Sequence, residues 1–287
     1  MESFLLRSLT DKFINDLRLQ KKSDFTVVAY HKDLQQFVGH LTSLEKTDVR
    51  EVQKEDIQSF VQKLLQDNYT KKSASRKLNS IRTFFKYLKS QEIISHNPSL
   101  EVPHPKYSQT PPRILSKLEY HALRDYAKDD IRAYALIETL LQTGVKIGEL
   151  SNIQLSDIKE TSLYVRPYGT SVGREIPLNK SAKKAMSEYI KTRRQGIQSD
   201  FLFITRSGKP ILIRNIRQVI NRCFREVEID DATVNDLRNT FIAHQLLNGS
   251  SIEYIARIVG HRRLSSTERF LHLIKEEVEK KDKIGEL

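Results

Sequence analysis

Between residues 95 and 113 the chain reads SHNPSLEVPHPKYSQTPPR, with prolines at 98, 103, 105, 111 and 112. Proline fixes φ and removes a backbone donor, so this stretch excludes a continuous helix and reads as an extended connector. The chain must therefore build two cores, one on each side. We place a helical domain at residues 1–106, a linker at 107–112 and a second domain at 113–287.

Helical spacing dominates the first part. Ser23 or Asp24 can cap a helix with Val27, Tyr30, Leu34, Phe37 and Val38 on one face. A second helix is expected at about 56–65. A third starts near Lys71 and carries Ala74, Leu78, Ile81, Phe85 and Leu88. Its flanks hold Lys71, Lys72, Arg76, Lys77, Arg82, Lys86 and Lys89, and no acid occurs from Lys71 to Ser90. A solvated face usually mixes signs, so this one reads as a phosphate-contacting surface. After the connector, Ser116 caps a helix over 118–127 and another follows over 131–143. Leu163, Val165 and residues 175–178 alternate around a glycine-containing turn, which predicts a short β-hairpin. FLFI, residues 201–204, is a candidate third strand. Helices resume at Arg214 and run to the C-terminus.

The formal net charge is +12. It divides into +5 for residues 1–106 and +7 for the remainder, so both parts suit a polyanionic partner, nucleic acid first. Cys223 is the only cysteine, which excludes an intrachain disulfide and a cysteine-based zinc cluster. The opening MESFLLRSLTDKF becomes charged too early for a secretory signal. No apolar run is long enough to span a bilayer. The expectation is a cytoplasmic chain, with no membrane, metal, cofactor or small-molecule substrate.

Three segments carry a resemblance: TGVKIGEL (143–150), VNDLRNTFIAHQLLNGSSIEYIARIVGH (234–261) and STERFLHL (266–273). Together they resemble the tyrosine recombinase (phage integrase) family, Xer-like members included. TVVAYHKDLQQFVGHL, SASRKLNSIRTFFKYL and HNPSLEVPHPK resemble its core-binding domain. The resemblance implies a mainly α, two-domain architecture. A four-helix core-binding domain would join a mostly helical catalytic-type domain with a small antiparallel sheet, forming a C-shaped clamp on duplex DNA. It also implies chemistry: a tyrosine attacks a backbone phosphate, arginines stabilise the charge on its oxygens, and a lysine protonates the leaving oxygen.

At the matching positions this chain departs from the pattern. The first arginine is Lys146, which keeps the charge and loses the bidentate fork. The hairpin lysine falls on Gly169 or Thr170, with Arg166 and Arg174 the nearest basic residues. The first histidine is Asn235, and the residue after Arg238 is Asn239. Arg238 and His261 match in type. The nucleophile position holds Phe270, a ring with no nucleophilic atom, followed by His272. Tyr254 reads as packed beside Ile255 and Ile258. Ser266 and Thr267 are hydroxyls with no well-placed histidine evident. A tyrosine from a neighbouring subunit is a further source.

Binding depends on other residues. The helix starting near Arg214 matches the family's major-groove helix and offers Arg214, Asn215, Arg217, Gln218 and Arg222, donors suited to base edges. Lys146, Arg174, Arg238, His261, Arg262 and Arg263 complete the expected DNA-contacting set, with those of the 71–89 helix. Leu273, Ile274, Val278 and Ile284 in the tail are placed to dock on a neighbour, giving self-association on DNA. These departures lead to one expectation: a recombinase-fold protein without recombinase activity that binds specific duplex DNA, as a transcriptional regulator such as a prophage or mobile-element repressor. A divergent site-specific recombinase is the alternative, and a subunit modulating an active recombinase a third reading.

Overall fold

A computed structural model describes residues 4–108, 110–193, 197–271 and 273. The chain separates into two compact units, Met1–Gln109 and Thr110–Leu287.

Among its described residues the first unit holds four α-helices: α1 (Leu6–Leu19), α2 (Asp24–Ser43), α3 (Lys54–Gln66) and α4 (Lys71–Ser90). Their starts follow from local chemistry. The Ser23 hydroxyl accepts from the Thr26 amide, and the Thr70 hydroxyl accepts from the Ser73 amide. At α3 the Asp56 carboxylate takes the Gln53 amide. The apolar stripes meet in a core rich in phenylalanine, with Phe13, Phe37, Phe60, Phe84 and Phe85 fully buried. Each such ring contributes about 1.5–3 kcal/mol through burial.

One polar knot crosses this core. Asp33 of α2, 2 % exposed, accepts from Arg76 (2.5 and 2.8 Å), Lys77 (2.9 Å) and Ser80 (2.7 Å) of α4. Burial alone would raise the Asp33 carboxyl. The bonds from Arg76, Lys77 and Ser80 outweigh it and hold the group below its usual range. The proline-bearing segment is also pinned. Residues Pro98–Glu101 form a short 3-10 turn capped by Asn97. Arg82 donates to the carbonyls of Ser99 and Val102 and bonds His104, whose other ring nitrogen meets Ser75. The first part of the connector is thus laid along α4 and held there.

The second unit contains α5 (Lys117–Ala127), α6 (Ile131–Thr143), α7 (Ile147–Leu150), β1 (Ser162–Val165), β2 (Arg174–Pro177), α8 (Lys180–Lys191), α9 (Ile213–Glu226), α10 (Val234–Leu247), α11 (Ile252–Val259) and α12 (Ser265–Glu268). Helix α6 is the hub. Its Ala133, Ala135, Leu136, Ile137 and Leu140 are buried, and α5, α8, α9 and α10 pack around it. The sheet is a two-stranded antiparallel hairpin in which Leu163 pairs with Ile176 and Val165 with Arg174. The fold is therefore mainly α with a small antiparallel sheet, as expected.

FLFI is not a third strand of this sheet. Leu202 and Phe203 are buried, and the Leu202 amide bonds the Ile153 carbonyl. The segment forms only isolated bridges, Gln154 with Phe201 and Ile204 with Pro210. A short apolar run signals burial, and tertiary packing decides its conformation. Of the tail residues expected to dock on a neighbour, Ile274, Val278 and Ile284 lie outside the described residues, as does His272.

Candidate nucleic-acid interface

Helix α6 ends at Gly144, which adopts φ +62°, and a Cβ there would fall 2.3 Å from the Phe241 ring. That left-handed turn delivers Lys146 to the N-terminus of α7. Lys146 donates its amide to Glu149 (2.8 Å) and its ammonium to the Ser171 hydroxyl in the hairpin turn (2.7 Å).

Arg238 reaches the same place from α10. It is 5 % exposed and donates to the Gly144 carbonyl and, at 2.7 Å, to the Val259 carbonyl. These two bonds orient the guanidinium and leave further N–H donors on its fork. Burial pushes its pKa down to about 10, partly opposed by Glu149 and reinforced by Arg174 and Arg269, so it stays charged at neutral pH.

His261 follows Gly260, the φ +70° residue that ends α11. Its Nδ1 lies 2.7 Å from the Thr267 hydroxyl. Burial first, then Arg238, Arg269, Lys146 and Arg174, push its pKa down to about 4. The imidazole is neutral at pH 7. Lys146 is likewise lowered, by burial and then, against Glu149, by Arg238, Arg174 and Arg262. The three groups share a strongly positive neighbourhood. Lys146, Arg217, Asn221, Thr233, Asn235 and Arg238 line a groove of about 460 Å³ beside it. A site with this charge and these fixed donors can hold an anion such as a backbone phosphate.

The other expected residues fall into two groups. Lys71, Lys72, Lys86 and Lys89 on α4, Arg214, Arg217, Gln218 and Arg222 on α9, and Arg262 and Arg263 are exposed, and Asn215 is half-buried. Arg174 is instead buried: its guanidinium makes a bidentate pair with Glu149 (2.9 and 2.7 Å) and donates to the Ile258 carbonyl. Arg82 is committed to the connector, and Arg76 and Lys77 to Asp33. The acid-free run on α4 thus meets its acid from α2. Gly169 stands in the exposed hairpin turn at φ +57° with nothing near its Cβ direction. Asn235 and Asn239 bond each other weakly, at 3.4 Å.

Phe270 is fully buried among Phe241, Ile242, Leu246, Ile255, Ile258 and Val259. Arg269 lies over its ring at 5.2 Å. Tyr254 is 37 % exposed beneath Arg257, rather than packed inward. The helix turns its neighbours Ile255 and Ile258 inward and leaves position 254 outside. A histidine does stand beside Thr267, contrary to the sequence reading. That hydroxyl is itself fully buried, and a histidine of such low basicity is a poor proton acceptor. Ser171 and Asn221 are the site residues that sequence reasoning missed, along with the bond between Thr267 and His261. No local pattern marks them, because each acquires its place through a tertiary contact.

A helical chain in which a turn-borne lysine, a buried arginine and a neutral histidine converge has the architecture of tyrosine-recombinase-type proteins. The chain belongs to the phage integrase family: the family profile matches residues 112–277, and the profile of the phage integrase N-terminal SAM-like domain matches residues 10–92. It is 29 % identical over 285 residues to tyrosine recombinase XerC of Staphylococcus saprophyticus, covering 96 % of each chain. It is 27 % identical over 283 residues to tyrosine recombinase XerD of Listeria innocua, covering 94 % of this chain and 95 % of the other. Among solved structures, a lambda integrase dimer bound to a COC′ core site matches with TM-score 0.77 and 15 % identity, over 99 % of this chain and 80 % of that one. The Tn1549 transposon integrase in complex with circular intermediate DNA matches with TM-score 0.74 and 18 % identity, over 93 % and 95 %.

The expectation of a chain without recombinase activity is corrected by these relatives. Proteins named as recombinases match it over nearly its whole length. The missing hydroxyl at 270 shows which side chain does not attack. It does not show that none does. Among the described residues no helix is long and apolar enough to cross a membrane.

Proposed function

We propose that this protein is a site-specific recombinase acting on duplex DNA, and that the groove beside Lys146 and Arg238 receives the backbone phosphate. The observation that carries the reading is the convergence of Lys146, Arg238 and His261 on one positive site, each held by bonds to a different element. Arg238 and Lys146 would pair with non-bridging phosphate oxygens, and neutral His261 would donate without adding charge. The likeness to proteins named tyrosine recombinases, and to integrases solved on DNA, supports the same reading.

The covalent step requires an oxygen that bonds phosphorus while the 5′-oxygen departs with a proton. Phe270 supplies none, so the attacking hydroxyl comes from another position of the DNA-bound assembly. The test is a plasmid carrying paired copies of DNA fragments from around the protein's own gene, incubated with the full chain. Inverted or deleted products with a defined crossover are expected. Binding to those fragments without any strand exchange, including with a companion recombinase from the same genome, overturns the reading.

A further inference from the structure

Helix α9 is a ridge between two grooves. One is the Lys146–Arg238 groove, which Arg217 and Asn221 of α9 enter. The other, of about 690 Å³, lies on the far side of Asn221, which lines both. Arg132 of α6, Arg206 of the preceding segment, and Arg222 and Arg225 of α9 line it. No carboxylate lines this second groove. Arg222 has a surface partner in Asp130 at 3.2 Å, both largely exposed. Arg132, Arg206 and Arg225 have no ion-pair partner among the described residues.

The sequence sets this arrangement. Ile216, Ile220, Cys223 and Phe224 turn inward. By the 3.6-residue period, Arg222 then lies about 140° around the helix from Arg217, and Arg225, further along the helix, about 80°. Gln218 and Asn221 stand on the arc between Arg217 and Arg222, are themselves exposed, and also line the second groove. A helix with its side chains is about 10–12 Å across, and the major groove of B-DNA is about 12 Å wide. A helix seated there has a phosphate row on either side, and α9 carries guanidinium groups on both.

We propose that Arg132, Arg206 and Arg225 form a second phosphate-binding site, which grips the phosphate row across the major groove from Lys146 and Arg238. The inference rests on the duplex-DNA reading above. It adds three contact residues and assigns Gln218 and Asn221 to the base edges. The arginines supply sequence-independent affinity, and the neighbouring amides supply discrimination.

The test is equilibrium binding of the full chain to fluorescent duplexes over a salt series. Arg132→Gln, Arg206→Gln and Arg225→Gln are measured singly and together, with Arg217→Gln as the comparison on the near flank. Each lost contact is expected to reduce the slope of log K against log salt by about 0.9. For the triple variant, the loss of affinity between 50 and 200 mM salt should shrink by roughly 40-fold, equally on matched and random duplex. Gln218→Ala should leave the slope unchanged and relax sequence preference. A triple variant with wild-type melting and an unchanged slope overturns the second site, while a changed slope in Arg217→Gln leaves the DNA reading standing. No binding by the wild-type chain to any duplex overturns the DNA reading itself.

Discussion

The Thr267 hydroxyl is fully buried, and its bonding partner among the described residues is Nδ1 of His261. If the ring donated to Thr267, the hydroxyl proton would be buried without an acceptor, at a cost of about 1–3 kcal/mol. Thr267 therefore donates, Nδ1 accepts, and Nε2 carries the ring proton. Long-range proton–nitrogen NMR correlations should show the Nε2–H tautomer in the wild type and in Thr267→Ser, and a mixture in Thr267→Val. A wild-type Nδ1–H pattern would contradict this. The depressed pKa of His261, about 4 against an ordinary 6.5, has a sign consequence. Between those values the unfolded chain binds the extra proton, so stability falls as pH drops through that window. Thermal melts of His261→Gln should lose less stability than the wild type from pH 6.5 to 4, and parallel curves would argue against it. Phe270 is core: Phe270→Ala should cost about 3–5 kcal/mol in denaturant melts. The identity of residue 270 was legible in the sequence, but its burial and the Thr267 contact were not. Both depend on how α10, α11 and α12 close on one another.

At the scale of elements, periodicity carried most of the information. The buried stripes of α2 and α4 fall at the spacings read from the sequence, because one apolar face must be covered wherever the helix packs. What periodicity cannot supply is the partner. The basic run on α4 lacks acids locally, yet Asp33 sits 43 to 47 residues away and takes Arg76, Lys77 and Ser80. Arg174 looked like a surface cation, and Glu149 drew it inside. Lys77 is 7 % exposed, so removing its partner leaves a charge with little access to water. Asp33→Ala is expected to destabilise by about 3–5 kcal/mol, measured by urea unfolding. A loss below about 1 kcal/mol, the range of a surface pair, would show that the knot is open to solvent.

For the whole molecule, the ordered motifs gave the fold class and the family, since several segments at fixed separations are hard to match by chance. Function was less legible. Reading the chemistry position by position turned a set of departures, Phe270 among them, into a missing activity, whereas the chain's relatives are named as recombinases over nearly its full length. Single side chains report which group acts, and the framework of positive charge reports what is held. The central claim is that DNA held in the Lys146–Arg238 groove becomes covalently joined to the protein. It is tested by incubating the chain with nicked duplexes that trap the cleaved intermediate, then mapping the attached peptide by mass spectrometry. The account expects an adduct on a hydroxyl at a position other than 270, reduced roughly 10²–10³-fold in Arg238→Ala. Duplexes bound at the mapped site but never joined to protein would contradict it.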